Sequence, residues 1–240
     1  MKLDTGAAWT QAMKLLGAHR EVLVALAGAF LLLPPLFVEI FAPFRPAGET
    51  FAVLAAEFRG YIEANGPLLL AMTVISTFGQ AAILTIVLDR DQPTVAQALR
   101  GAIRLLPWLL LLNLLVGIVL AVASMALLIP ALYLFGRLAV TGVVLVGEGR
   151  HSPVDAISRS WQVTRGNGWR SFFLIAVVAM VGWVISAAAG AIVGIAAKLL
   201  GGSAVALFFA AFVNALFGAA LGLVLLLLYV AIYRQLVREG

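Results

Sequence analysis

LLPWLLLLNLLVGIVLAVASMALLIPALYLFGRLAVTGVVLVG, residues 105–147, contains one charged side chain, Arg137, in 43 positions. A continuous helix of this length would be about 65 Å long, roughly twice the hydrocarbon thickness of a bilayer. Proline fits the first turn of a helix but disrupts its interior, so Pro130 is the expected break. The stretch therefore predicts two membrane-spanning helices, 105–128 and 130–147.

The rest of the chain has the same apolar character. Of its 240 residues, 63% are hydrophobic and 11% are charged, whereas a soluble domain is about 25% charged. This composition excludes an ordinary soluble domain, and further apolar stretches predict spans at 21–41, 66–88, 171–200 and 204–233. We expect an all-α polytopic membrane protein, with six transmembrane helices in a single integral membrane domain over residues 1–240.

Prolines are expected to affect the helices of the first unit at two places. Pro34-Pro35 lies inside the first span and predicts a kink there. Phe51, Leu54, Phe58 and Ile62 form an apolar stripe at helical spacing in the loop that follows. We expect this helix either to rest on the outer leaflet or to cap the bundle, with a protein docking surface as a further alternative. It is expected to end at Asn65-Gly66-Pro67, before the second span begins.

Basic residues predict the orientation of the spans. With six spans both termini lie on one side, and twelve of the sixteen Lys and Arg residues fall on that side, against three on the other. Because cytoplasmic loops are enriched in Lys and Arg, we expect both termini in the cytoplasm. The +5 net charge then reflects a multi-pass protein of the bacterial inner membrane and not a nucleic-acid-binding protein.

Similar segments precede the first, third and fifth spans: QAMK at 11–14, QALR at 97–100 and DAIS at 155–158. We expect each segment to form a short cytoplasmic helix at the membrane interface, followed by a transmembrane hairpin. The spacing of Ala12, Ala98 and Ala156 supports this internal repeat once the longer first outer loop is taken into account. The predicted repeat units are 5–88, 92–147 and 152–238.

The third of these segments carries a candidate surface for a lipid or a protein partner. Ser152-Pro153 is typical of a helix start, and Gly166-Asn167-Gly168 of a helix end. Interfacial helices place tryptophan at headgroup level and arginine near anionic phosphates. This segment is expected to be either a topology anchor or a specific binding surface, formed by Arg159, Trp161, Arg165, Trp169 and Arg170.

Polar side chains inside the spans are the candidates for an intramembrane site. Ionisable residues at depth are costly and often functional, and Arg137 and Glu39 are predicted to lie at similar depth near the outer leaflet. They either line a small pocket for a lipid headgroup or lie separately at the interface. Single amides more often form interhelical hydrogen bonds. The candidate set is Glu39, Gln80, Asn113, Arg137 and Asn214.

Small residues at four-residue spacing in the last two spans predict close helix packing. The packing lies within one subunit or, as the alternative, in a homodimer. The residues are Gly182, Ser186, Gly190, Gly194, Gly218 and Gly222.

No catalytic constellation is visible in the sequence. The chain has no cysteine and only two histidines, His19 and His151, neither of them in a metal-ligand pattern. It also lacks the nucleophile-elbow, phosphate-binding-loop and zinc-protease motifs. We expect no enzymatic activity, no metal and no cofactor.

Several motifs resemble one family. These are IPALY at 129–133, GEG at 147–149, DAISRSWQVTRGN at 155–167 with Trp169-Arg170, and the segment 229–238. They are similar to the membrane domain of bacterial glycerophosphoryl diester phosphodiesterases and to the YciC-like inner-membrane proteins. The resemblance is clearest over 125–240 and implies a six-helix membrane module. In other members a phosphodiesterase barrel is joined to it; no catalytic position of that barrel has a counterpart in this sequence.

The leading hypothesis is therefore a non-catalytic inner-membrane protein that scaffolds a partner or handles phospholipid at the envelope. Its expected partners are membrane lipids with anionic headgroups, with a protein partner or a second copy of the chain as alternatives. A lipid or small-solute transporter is the second hypothesis, and an intramembrane enzyme is the third.

Overall fold

The structure, a computed structural model, describes residues 2–89, 93–199 and 204–238. Its helices are α1 (Thr5–Ala18), α2 (Arg20–Ala27), α3 (Leu33–Phe41), α4 (Phe51–Leu88), α5 (Val95–Ala126), α6 (Leu128–Leu138), α7 (Thr141–Gly147), α8 (Pro153–Val163), α9 (Gly168–Leu199) and α10 (Ala204–Arg238). Six segments in this part of the chain are long and apolar enough to cross a membrane. The all-helical class and the number of potential spans are thus confirmed. The predicted repeat start at residue 92 and span end at residue 200 lie outside the described residues.

The first potential span, Arg20–Phe41, is distorted as the proline pair predicts. A π-helical turn, Gly28–Leu32, joins α2 to α3 immediately before Pro34-Pro35. The two prolines have no N–H groups to donate to carbonyls one turn earlier, and the wider turn accommodates this loss. Phe30, on this turn, contacts α4 so closely that a Cβ added at Gly79 would lie 2.0 Å from the Cβ of Phe30.

Helix α4 is longer than predicted. It begins at the Thr50 cap, where Thr50 Oγ1 accepts from Val53 N at 3.4 Å, and continues through Pro67 to Leu88. The expected helix end at Asn65-Gly66-Pro67 is therefore wrong. A proline removes only one backbone hydrogen bond, here the one to the Glu63 carbonyl oxygen, and the helix continues on both sides of it.

The chain reverses between α5 and α6 at Leu127, whose backbone is extended. Pro130 lies in the first turn of α6, where proline is tolerated. The span predicted at 130–147 is not one continuous helix, because α6 ends at Leu138 and α7 begins at Thr141. Helix α5 is continuous from its capping box at Thr94. Its first turns are therefore not the separate interfacial helix that the repeat predicts for the second unit.

Helix α8 is separate, as expected. Ser152 caps its start by accepting from Asp155 N, and the chain leaves it through Gly166, whose φ of +77° favours glycine. Helix α9 begins two residues later at Gly168. This short connection brings the end of α8 and the start of α9 together.

Helices α9 and α10 are antiparallel neighbours, and only part of the predicted glycine seam lies between them. A Cβ at Gly182 would lie 2.5 Å from Leu221, and one at Gly190 would lie 2.7 Å from the amide oxygen of Asn214. Three other glycines have no described atom of this chain within 4 Å of an added Cβ, so they do not form part of the α9–α10 contact, and the homodimer alternative stays a prediction for them: Gly194, Gly218 and Gly222. Ser186 Oγ instead donates to the Gly182 carbonyl oxygen within α9.

Contacts between distant segments define one end of the bundle, which we call the basic end. Leu3 N donates to Asn167 Oδ1 at 2.8 Å, and Tyr233 donates its hydroxyl proton to Glu148 at 3.1 Å. Arg234 donates to the Val87 carbonyl oxygen at 2.6 Å. The segments that meet here are the chain before α1, the ends of α4 and α10, and the connections on either side of α8. The segment between α3 and α4 lies at the opposite end.

Candidate functional site

Helices α6 and α9 cross in backbone contact near the basic end. A Cβ added at Gly136 would lie 2.2 Å from the Gly168 carbonyl oxygen, and one at Gly168 would lie 2.8 Å from Cδ of Arg137. Two glycines at the crossing therefore let the helices approach closely enough to enclose the Arg137 side chain. That side chain is only 3% exposed.

The enclosed guanidinium of Arg137 is held by α8 and by aromatic rings. Its Nη2 donates to the carbonyl oxygen of Trp161, at the carbonyl end of α8, which carries partial negative charge. Its Cζ lies 4.1 Å from the ring centroid of Trp161 and 5.8 Å from that of Tyr133. Both distances are within the range of cation–π interactions, each worth up to about 2 kcal/mol when desolvated.

Side-chain hydroxyls at the end of α8 contact the backbone of the same turn of α6. The Ser160 hydroxyl donates to the Arg137 carbonyl oxygen at 2.8 Å. The Thr164 hydroxyl shares its proton between the Ser160 carbonyl oxygen, at 2.7 Å, and the Arg137 carbonyl oxygen, at 3.1 Å. This carbonyl belongs to the last turn of α6, which has no following helical turn to satisfy it. The end of α6 and the end of α8 are therefore joined by both the main chain and the side chain of Arg137.

Arg137 has no acidic partner in residues 2–89, 93–199 and 204–238. The ion pairs there are Arg45–Glu39, Arg150–Glu148 and Arg159–Glu148. The Nε of Arg137 is also buried without a hydrogen-bond partner. Burying a charge costs several kcal/mol, and the groups that offset this cost are all neutral: the two aromatic rings, the Trp161 carbonyl oxygen and the Tyr133 hydroxyl, which accepts from Arg137 Nη1 at 3.4 Å. The site thus holds an uncompensated positive charge.

A cleft of about 390 Å³ opens beside this charge. Arg165 and Gln162 contribute polar groups to it, and Gly166 closes its edge. Tyr133 and Trp161 form aromatic walls, and Trp169 lies against Tyr133 with ring centroids 5.8 Å apart. The arrangement can bind an anion between two guanidinium groups and aromatic rings.

The predicted pocket shared by Glu39 and Arg137 is wrong. Glu39 pairs with Arg45 at 2.6 Å, at the end of the bundle away from α8. Arg137, a residue of α6, lies against the start of α9, near the basic end. The position of Arg137, seven residues after Pro130, predicts a location near the outer end of one straight helix. In the structure α6 ends at Leu138 and α8 folds back beside it. A residue count along a single helix cannot show this arrangement.

The predicted interfacial surface is divided among separate contacts. Trp161 and Arg165 line the cleft, whereas Arg159 pairs with Glu148 at 3.0 Å and Arg170 donates to the Leu3 carbonyl oxygen at 3.2 Å. Tyr133 and Gln162 also line the cleft, although neither belongs to the predicted surface. The aromatic–arginine spacing of Tyr133 and Arg137, four residues apart in one helix, is the local signal that could have identified the first of them.

Glu148 is the centre of a second charge cluster at the basic end. It accepts from Arg150 at 2.7 Å, from Arg159 at 3.0 Å and from the hydroxyl of Tyr233. Burial raises the pKa of Glu148, but these hydrogen bonds outweigh it and hold the pKa below its usual value. The cluster ties the connection between α7 and α8 to α10.

The predicted intramembrane amides do not form one site with Arg137. Gln80 and Asn113 line a cavity of about 190 Å³ between α4, α5 and the break before α7. Asn214 lies elsewhere, against Gly190.

Among the described residues, no group of three or more His, Asp or Glu side chains could hold a metal ion. The chain matches no family model, no curated protein and no solved structure.

Proposed function

We propose that this protein is a non-catalytic inner-membrane protein that binds the phosphate of an anionic phospholipid in the cleft beside Arg137. The observation that supports this proposal is a buried guanidinium that lacks a carboxylate partner within the described residues. A bound anion would supply the missing negative charge.

Three observations favour a phospholipid headgroup as the bound anion. The planar guanidinium forms paired hydrogen bonds with phosphate oxygens, and Arg137 and Arg165 both line the cleft. Basic pockets between membrane helices on the cytoplasmic side are typical of phospholipid headgroup sites. The exposed rings of Trp161 and Trp169, 42% and 39% exposed, suit headgroup level.

The proposal includes an orientation. The excess of Lys and Arg on the side of both termini supports a cytoplasmic location for the basic end. The cleft would then take a lipid from the cytoplasmic leaflet of the bacterial inner membrane. A scaffold for a partner protein is compatible with the same surface.

We also propose the three-unit repeat and membership of the glycerophosphodiesterase membrane-domain family. Side chains of Asp4, Thr94 and Ser152 each cap a helix, which supports three equivalent helix starts. The alanine four residues after each cap is completely buried: Ala8, Ala98 and Ala156. Alignment on the caps pairs Ala8, and not Ala12, with the other two alanines.

The proposed lipid site is tested by native mass spectrometry. Protein released from vesicles of phosphatidylglycerol and phosphatidylethanolamine should retain one phosphatidylglycerol molecule. Arg165→Gln removes one guanidinium from the exposed rim of the cleft, and the retained fraction should fall about tenfold, as expected for one charge-assisted hydrogen bond.

Arg104→Gln is the matched control. Arg104 is an exposed arginine on α5 that does not line the cleft, and its substitution makes the same change in net charge. The proposal predicts wild-type lipid retention in this variant. Equal loss in both variants would show that only the overall charge attracts the lipid.

A further inference from the structure

A second cavity contains polar groups that the protein itself does not satisfy. It lies beside the break between α6 and α7, has a volume of about 190 Å³, and is lined by side chains of α4, α5 and α10 as well. Its polar lining residues include Thr77, Gln80, Asn113, Thr141 and Tyr229. Thr141 donates to the Leu138 carbonyl oxygen at 2.8 Å.

Thr77, on the cavity side of α4, differs from the other two threonines of this helix in its hydrogen bonding. Thr73 and Thr85 each donate to the carbonyl oxygen four residues earlier, at 2.8 and 2.9 Å. Thr77, which lies between them and is only 3% exposed, has no hydrogen-bond partner within the described residues. Thr77 lines the cavity, and its hydroxyl does not bond to the carbonyl of its own helix, which is the usual partner.

Gln80 and Asn113 add amide groups to the same cavity. Neither side chain has a hydrogen-bond partner in the part of the chain that the structure describes, although both lie within potential spans. An amide without a partner in hydrocarbon costs several kcal/mol. Three unpartnered polar side chains from two helices thus converge on one space.

The cavity opens towards the lipid side of α5. Asn113 lines the cavity and is also exposed on the surface of the bundle. It lies eight residues, about 12 Å along a helix, from Leu105, the first residue of the long apolar stretch. This depth corresponds to the hydrocarbon region, so a ligand can enter from the bilayer and leave its apolar tail there.

The lining determines the charge and the size of the ligand. It contains no Asp, Glu, Lys, Arg or His, so a charged head would have no counter-charge. The volume corresponds to roughly six water molecules at about 30 Å³ each. We propose that the cavity binds the small hydroxyl- and ester-bearing head of an uncharged lipid of the diacylglycerol type.

Photolabelling with a diacylglycerol that carries a diazirine in one acyl chain tests this inference. In wild-type protein in nanodiscs, the label should attach to peptides of α5 and α6. Asn113→Leu removes an exposed amide without changing the core, and labelling should fall about fivefold or more, as expected for the loss of one hydrogen bond within a membrane. Thr77→Val, a nearly isosteric change, should also lower it.

Asn214→Leu is the matched control, because Asn214 lies in a potential span but faces Gly190 outside the cavity. It should label as wild type, and so should Arg165→Gln, which separates this inference from the phospholipid site. A diazirine alkane without a polar head should label all variants equally. Unchanged diacylglycerol labelling in Asn113→Leu and Thr77→Val would overturn the inference.

Discussion

At the scale of single residues, the α6–α9 crossing depends on two glycines, Gly136 and Gly168, which have a hydrogen atom in place of a side chain. Both helices present glycine there, and the space that a methyl group would need is occupied by backbone and by the stem of Arg137. Backbone cannot move aside as the end of a flexible side chain can. A methyl group at this crossing should therefore be costly.

We predict that Gly136→Ala destabilises the protein by about 2 kcal/mol, because the added Cβ would lie 2.2 Å from the Gly168 carbonyl oxygen. Gly218→Ala is the control, since an added Cβ there meets no atom within 4 Å. Thermal unfolding in detergent, followed by tryptophan fluorescence, should show a lower Tm for the first variant and no decrease for the second. Equal Tm values would contradict the crossing geometry.

The charge cluster at Glu148 predicts a pH dependence. Its pKa is lowered in the folded protein, so its contribution to stability is complete above the unfolded value of about 4.3 and is lost as pH falls through the folded value. At pH 7, Glu148→Gln should lower the free energy of unfolding by about 1–2 kcal/mol. The difference from wild type should shrink at pH 3, and a constant difference would argue against the ion pairs.

Individual residues also show the limit of sequence reasoning. Arg137 is recognisable as a costly charge, but its partner Trp161 lies 24 positions away in another helix. The partner assigned from depth alone, Glu39, is at the wrong end of the bundle. Depth along one helix can be counted from a sequence, whereas the direction in which a neighbouring helix folds back cannot.

At the scale of helices, local signals determine where helices start better than where they end. The cap at Ser152 lies where the sequence predicts it, because a cap needs only side chains within four residues. Pro67 and Pro107 do not end their helices. Packing on either side outweighs the loss of one hydrogen bond, and this packing comes from residues far away in the chain.

Helix α4 gives a measurable consequence. If it is continuous through Pro67, spin labels at Ala55→Cys and Ile75→Cys lie about 30 Å apart, since twenty residues rise 1.5 Å each. The chain contains no native cysteine, so only these two positions carry labels. Pulsed electron–electron distance measurement in nanodiscs should give one narrow distribution near this value. A shorter or broad distribution would indicate a break at Pro67.

At the scale of the whole molecule, the helices differ in how much of their surface the bundle covers. Only 11% of the most apolar window of α5 and 6% of that of α9 is buried, against 50% for α10 and 50% for the span Leu128–Gly147. This distribution is consistent with α10 and the α6–α7 span inside the bundle and with α5 and α9 facing lipid. Composition predicts the class and the positions of the apolar stretches predict the six potential spans, but neither predicts which spans the bundle covers, because all six are similarly apolar.

Orientation is the next property to be tested at this scale. Asp155 and Arg59 are both exposed, the first on α8 and the second on the segment of α4 near the opposite end. An impermeant maleimide added to intact spheroplasts should label Arg59→Cys and not Asp155→Cys. After permeabilisation, both variants should be labelled. Labelling of Asp155→Cys in intact spheroplasts would reverse the proposed orientation.

The central claim is that a lipid phosphate neutralises Arg137, and solid-state NMR dipolar recoupling between arginine nitrogens and lipid phosphorus measures this contact directly. In phosphatidylglycerol bilayers, the Arg137 signal, assigned from its absence in Arg137→Lys, should dephase as expected for a nitrogen–phosphorus distance of about 4 Å. No dephasing of this signal, while bulk lipid phosphorus is fully detected, would contradict the account.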